Sequence, residues 1–257
     1  MNSITPLYEL ITTHHSGAKT RAQEKDFWHG ADITITSRQD HPGIEDRHTI
    51  ILDPNAPEII AALEEVLPLL MEDEAIGYDY MTKYPIIAGL LSDLPDEQPG
   101  LELLRRALDL ALKAHGRILY FAYGSNMDRL QMTWRCPKAE FLGTTRISGF
   151  EFLINSRSVA SIRAKTGATV EGAVYAATAD CMKALDSYEG TAQGLYLKEQ
   201  VTDALGLRHE AYFATDSSPS YGKRSDYLLR ILDAAKALGI SEQHRSWIEG
   251  FKNKGAQ

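Results

Sequence analysis

One stretch constrains this chain more than any other: the apolar run Ile118-Leu119-Tyr120-Phe121-Ala122, closed by Tyr123-Gly124-Ser125-Asn126-Met127. The run is short, rich in aromatic and β-branched residues, and preceded by Gly116, so it reads as a buried strand. That strand must end in a tight Gly-Ser-Asn loop. Gly124 is expected to adopt a backbone geometry closed to other residues. Ser125 and Asn126 are expected to cap a helical turn whose first N–H groups point outward. Successive free N–H groups form a concavity suited to a carboxylate or to the oxyanion of a transition state. Taken alone, such a turn is also ordinary punctuation after a strand.

Downstream come Leu185-Asp186-Ser187-Tyr188-Glu189-Gly190 and then Gly194-Leu195-Tyr196. Later come Pro219-Ser220 and Tyr227, leading into an amphipathic segment. In this order, from about Arg117 to Phe251, the set resembles the gamma-glutamylcyclotransferase-like superfamily. There a strand ends in Tyr-Gly-Ser-Asn, and an acidic residue in Leu-Asp-x-x-Glu-Gly performs the chemistry. The Glu-Gly-x-x-x-Gly-x-Tyr spacing from Glu189 to Tyr196 fits as well.

The resemblance implies a small mixed β-barrel with flanking helices. It also implies Glu189 as the catalytic acid/base. Tyr123, Gly124, Ser125, Asn126, Met127, Tyr196 and Tyr227 are the implied substrate-binding residues. For the last position Tyr221 competes, because Tyr221-Gly222-Lys223-Arg224-Ser225-Asp226 separates Tyr227 from Pro219-Ser220. The implied reaction is ring closure of a γ-glutamyl amide or γ-glutamyl amino acid to 5-oxoproline, with release of an amine. It needs neither a metal nor an organic cofactor, and its partner is a small γ-glutamyl substrate. A γ-glutamyl-amine or protecting-group-removing variant has the same chemistry. A non-catalytic binding protein that keeps the barrel is the competing class, and the carboxylate at Glu189 argues against it. Read without the resemblance, Glu189 is a carboxylate beside Tyr188 at the end of a helix. Partial desolvation there raises its pKa towards the range of proton transfer.

Other chemistry is poorly supported. His41, Glu45 and His48 have helical ligand spacing, but Pro42-Gly43 interrupts a helix there, so no metal is expected. Ser220-Tyr221-Gly222-Lys223 matches Ser-x-x-Lys but lacks its companion motifs. No phosphate-binding glycine loop or dinucleotide fingerprint occurs. Cys136 and Cys181 are the only cysteines, and their spacing builds neither a disulfide framework nor a metal site. There is no apolar run of transmembrane length and no basic, apolar leader at Met1-Asn2-Ser3-Ile4-Thr5-Pro6. The expectation is a cytoplasmic protein with no membrane partner.

Charge divides the 257 residues unevenly. Residues 1–115 carry 9 Lys and Arg against 20 Asp and Glu, and residues 116–257 carry 18 against 15. An acidic N-terminal region argues against nucleic-acid binding, which needs positive charge to displace counterions. We expect an acidic N-terminal domain over 1–115, a mainly helical α+β extension of unrecognised family. The catalytic α+β domain is expected over 116–257. The N-terminal domain is open to several roles: lid, oligomerisation surface for a homodimer, protein-partner module or second activity.

Within 1–115, strands are expected at Ala31–Thr36 and Arg47–Leu52. Helices are expected from Pro57 through the Ile59–Leu70 stripe, over Tyr78–Leu91 and over Leu101–Lys113, with a linker at Asp93–Gly100. The last helix should pack on the C-terminal domain, because only His115-Gly116-Arg117 joins it to the next strand. Beyond the loop, strands are expected at Glu140–Leu142, Gly149–Ile154, Val159–Arg163, Ala168–Ala177, Leu195–Val201 and Arg208–Ala214. Helices are expected from Thr178 to Tyr188, over Asp226–Leu238 and from Ser241 through Phe251.

Overall fold

The structure is a computed structural model. It describes residues 115–221 and 225–253, the strand backbones 31–34 and 49–52, and the positions Ile4, Thr5, Tyr8, Glu9, Thr12, Arg105, Leu108, Asp109, Leu112 and Lys113. The expected helices over 57–91, the linker after them and the His41-Glu45-His48 group lie outside the described residues. The chain divides into two compact units, one of Met1–Glu9 with Leu108–Gln257, the other of Leu10–Ala107.

In the second unit, β1 (Ala31–Thr34) and β2 (Thr49–Leu52) pair antiparallel, Ala31 opposite Leu52. Both lie within the segments expected to be strands.

The first unit is α+β. It is built on β3 (Arg117–Ala122), β4 (Glu140–Ile154), β5 (Ala160–Thr178), β6 (Tyr196–Thr202) and β7 (Arg208–Ala214). Their order across the sheet is β4-β5-β3-β7-β6. β3 runs parallel to β7, and the other pairs are antiparallel. The sheet is therefore mixed, as expected. It ends on two edge strands, β4 and β6, instead of closing. Among the helices described in full, α1 (Arg129–Arg135), α2 (Ala179–Glu189), α3 (Ser225–Ala237) and α4 (Glu242–Asn253) flank it. Among the described residues, no helix is long and apolar enough to cross a membrane.

β3 is central, with Leu119, Tyr120, Phe121 and Ala122 all buried. Burial on both faces is why its sequence reads as a continuous apolar run rather than an alternation. Close packing against β5 requires Gly172: a Cβ there would lie 2.3 Å from the Ala122 carbonyl oxygen.

The four short strands expected over 140–177 are two long ones. β4 pairs with β5 from Glu140–Ala176 to Ile154–Ala160, with register shifts between Phe141 and Gly143 and between Ser148 and Phe150. The apparent break at Gly149 is an irregularity within β4, where the glycine sits at φ +84°. On β5, Gly167 at φ +77° does the same between the paired positions Ala164 and Thr169.

Residues from far upstream complete this unit. Thr5 donates from its N–H (2.9 Å) and its Oγ1 (2.6 Å) to Glu140 Oε1. The Tyr8 ring lies against Gly143. Ile4, Tyr8, Leu108 and Leu112 are buried.

Candidate active site

β3 delivers the chain to the site, and Tyr123 follows it immediately. A 3-10 turn, Ser125–Met127, then forms with Gly124 at its start. Its closing bond runs from the Met127 N–H to the Gly124 carbonyl, 2.9 Å. Ser125 and Asn126 open the turn, and their N–H groups have no acceptor within it.

Two expectations about this loop are corrected. Gly124 sits at φ −109°, so it is not needed for a left-handed backbone. It is needed for space: a Cβ there would lie 3.1 Å from Ala160 Cβ and 3.7 Å from the Tyr227 hydroxyl. Nor do the Ser125 and Asn126 side chains cap a helix. Asp128 caps α1, its Oδ1 accepting from the N–H groups of Leu130 (2.9 Å) and Gln131 (3.3 Å).

The Ser125 and Asn126 side chains are held by α1 instead. Gln131 Nε2 donates to Ser125 Oγ at 3.1 Å and to Asn126 Oδ1 at 2.9 Å. Arg135 donates to the same Oδ1 at 2.8 Å. Two donors on Oδ1 fix the orientation of the amide, so Nδ2 faces the other way. There it donates to the Tyr120 hydroxyl at 2.8 Å and to Glu189 Oε1 at 3.1 Å. The Tyr175 hydroxyl donates to the Asn126 carbonyl at 3.1 Å.

α2 brings Glu189. Thr178 caps its start by accepting from the Cys181 N–H. Gly190, left-handed at φ +67°, ends it directly after Glu189. A Cβ on Gly190 would also lie 2.8 Å from Leu195, so glycine is required there twice over. The Glu189 side chain is 16% exposed, with Arg135 Nη1 3.8 Å from Oε1. Burial pushes its carboxyl above the ordinary value, against the opposing pull of Arg135 and the Asn126 amide. The carboxylate also sits at the negative end of its helix, which adds in the same direction. Tyr188 is not the source of this burial, since it is 59% exposed, with the Arg135 guanidinium 4.6 Å from its ring centre.

The buried surroundings are other tyrosines. Tyr120, Tyr123, Gly124, Ser125, Asn126, Ala160, Glu189, Tyr196, Tyr212 and Tyr227 line one pocket that opens to solvent. Of the expected residues, all but Met127 meet there. Met127 is fully buried and does not line the pocket. Tyr227 lines it, whereas Tyr221 stacks on Phe251 with ring centres 5.1 Å apart.

Several tyrosine hydroxyls are committed to the protein. Tyr196 donates to the Ala160 carbonyl (2.8 Å) and Tyr123 to the Tyr212 carbonyl. Tyr227 accepts from the Ala160 N–H at 3.3 Å. Tyr212 donates to Asp186 at 2.8 Å. Burial drives the hydroxyls of Tyr120, Tyr123, Tyr196 and Tyr212 to higher pKa, so this wall stays neutral. Asp186 is in turn held by Lys198, 3.0 Å from both its oxygens.

Sequence reasoning missed Tyr120, Tyr212, Ala160, Gln131 and Arg135 as members of the site. Gln131 and Arg135 are four apart, a spacing that shares one helix face, but α1 itself was not anticipated. Among the described residues, no cluster of His, Cys, Asp and Glu suits a metal ion.

A family model described as gamma-glutamyl cyclotransferase, AIG2-like, matches residues 120–228. Among solved structures, the chain is similar to one named gamma-glutamyl cyclotransferase, at 24% identity over 55% of this chain and 92% of that one, with a TM-score of 0.47. An uncharacterized protein from Homo sapiens gives the same values. YkqA from Bacillus subtilis matches at 20% identity over 55% of this chain and 56% of its own, with a TM-score of 0.47. No curated protein matches the chain. The matched region, which holds the strand, loop and Glu-Gly turn that build the pocket, is similar to the gamma-glutamyl cyclotransferase, AIG2-like family.

Proposed function

We propose that this protein cyclises a γ-glutamyl compound to 5-oxoproline, releasing the amine or amino acid bound to the γ-carbonyl. The family match over residues 120–228 supports the coarse activity, an enzyme of the cyclotransferase type. One observation carries the finer reading: a single carboxylate, Glu189, buried at a pocket beside the Asn126 amide and the start of the 3-10 turn.

The substrate brings its own nucleophile, the α-amino group. Its ammonium must lose one proton to solvent before attack. As the α-nitrogen bonds to the γ-carbon, Glu189 takes the second proton from it, and the γ-oxygen becomes an oxyanion. The N–H groups of Ser125 and Asn126 suit that charge. Glu189 returns the proton to the departing nitrogen as the old C–N bond breaks. A base with a raised pKa suits both halves of this exchange, because it holds the proton long enough to return it. Both reacting groups belong to one molecule, so the neutral tyrosine wall contributes chiefly by holding the chain in its folded, attacking shape.

The test is incubation of the protein with γ-glutamyl dipeptides, γ-glutamyl-lysine and glutathione, followed by measurement of 5-oxoproline. Turnover of any one supports the reading, and the pattern among them names the leaving group. No 5-oxoproline from the whole panel would leave a binding protein that retains the pocket.

A further inference from the structure

We infer that Arg135 is a positioning residue for Glu189: its guanidinium clamps the Asn126 amide and, among the described residues, supplies the positive charge closest to the buried carboxylate. The inference rests on the proposed role of Glu189 and extends it to a residue outside the pocket lining.

The geometry makes Arg135 a junction of three contacts. Nη1 lies 2.8 Å from Asn126 Oδ1 and 3.8 Å from Glu189 Oε1. The guanidinium carbon lies 4.6 Å from the centre of the Tyr188 ring. A planar, delocalised cation can meet an oxygen at its edge and an aromatic ring at its face together, which a lysine ammonium cannot. The residue is set by the last turn of α1, where a cation also complements the helix carbonyls. Its side chain is 24% exposed, so solvent screens its charge only in part.

Among the described residues, no second cation offsets the burial of Glu189. Tyr120 and Tyr123 face the carboxylate from β3 and its end, Tyr196 from β6 and Tyr212 from β7, and all four stay neutral. From the 3-10 turn comes the uncharged Asn126 amide. On α2 itself, Asp186 is paired with Lys198. Among the described residues, Arg135 is the only cation within 4 Å of Glu189. Without it, burial would act on the carboxylate opposed only by one amide hydrogen bond. Arg135 thus keeps Glu189 ionisable enough to accept a proton, while Asn126 keeps it aimed.

The test compares Arg135→Gln with Arg135→Lys in the full-length protein. Gln keeps a hydrogen-bond donor for Asn126 and removes the charge; Lys keeps the charge and removes the planar fork. The readout is the titration of the Glu189 carboxyl by carbon-13 NMR, its resonance assigned by its loss in Glu189→Gln. We expect the Glu189 midpoint to rise by about one unit in Arg135→Gln and to stay near wild type in Arg135→Lys. The acid limb of kcat/KM for 5-oxoproline release should move with it. An unmoved midpoint in a folded Arg135→Gln overturns the inference. If that variant does not fold, a midpoint raised in Arg135→Lys overturns it, and an unshifted one with reduced kcat supports it. The NMR readout needs no turnover. A shifted midpoint in a protein that makes no 5-oxoproline leaves this inference standing and removes the proposed activity. Normal turnover with an unmoved midpoint does the reverse.

Discussion

Glu151 and Glu189 are both nearly buried carboxylates, with side chains 7% and 16% exposed, and the protein treats them oppositely. Glu151, on β4, meets Arg163 Nε at 2.7 Å through one oxygen and Lys165 Nζ at 2.6 Å through the other. Burial pushes its carboxyl up, but these two cations more than offset that, and it lies below the ordinary value. Glu189 has one amide contact at 3.1 Å and a cation at 3.8 Å, and burial wins. Each oxygen of Glu151 has a charged partner, so it acts as a clamp between β4 and β5. Glu189 is compensated incompletely, so its carboxyl holds a proton more readily than an ordinary glutamate does.

The largest effect should come from Glu189→Gln, which keeps the shape and removes the titratable group. Turnover should fall about a hundredfold or more, with substrate binding largely kept. Near-normal 5-oxoproline release by this variant would break the contrast at its functional end.

Next in size is Gly124→Val. Its Cβ must approach Ala160 at 3.1 Å, so the 3-10 turn shifts and its N–H donors with it. Losing one such donor costs about 3 kcal/mol in the barrier, roughly a hundredfold in kcat. The melting temperature should change little, because the glycine's φ is an ordinary one. A folded, fully active valine variant would show the loop to be punctuation only.

Glu151→Gln should leave turnover intact and reduce stability. Its cations are 42% and 50% exposed, so solvent screens the loss to about 1–2 kcal/mol. The sign follows from the depressed carboxyl. That stability is present above the unfolded value and lost as the pH falls through the lower folded one. Denaturant melts should separate variant and wild type at neutral pH and converge as the solution becomes acidic. A difference that persists in acid would point to packing rather than charge.

The smallest effect is on stability at Glu189, and it has the opposite sign. A carboxyl raised on folding favours the native state while protonated, and that advantage is lost as pH rises through the folded value. Glutamine stays neutral, so Glu189→Gln should melt slightly higher than wild type near neutral pH and equal to it in acid. A lower melting temperature at neutral pH would mean that the ionised carboxylate stabilises the fold.

Local chemistry made several features legible from the chain alone. A doubly buried strand must be apolar throughout, so Leu119–Ala122, with the exposed Ile118 at its start, declared itself. Gly190 ends α2 because a left-handed residue is needed there, and that placed Glu189 at a helix end before any coordinates. Amphipathic spacing likewise marked the segment that forms α3.

Tertiary structure decided the rest. Gly149 and Gly167 look like turns in sequence, because a glycine that kinks a strand and one that reverses it are the same letter; only pairing with a neighbouring strand distinguishes them. Gly124 proved to serve close approach to Ala160, a residue 36 positions away. The same limit applies to the two carboxylates. Nothing local tells how fully each is compensated, since their partners come from β5 in one case and from α1 and the 3-10 turn in the other. The sequence by itself determined the strand, its loop and the acid at the helix end, because each is written in adjacent residues. The fold alone decided which acid was left short of charge, because compensation depends on distances across the molecule.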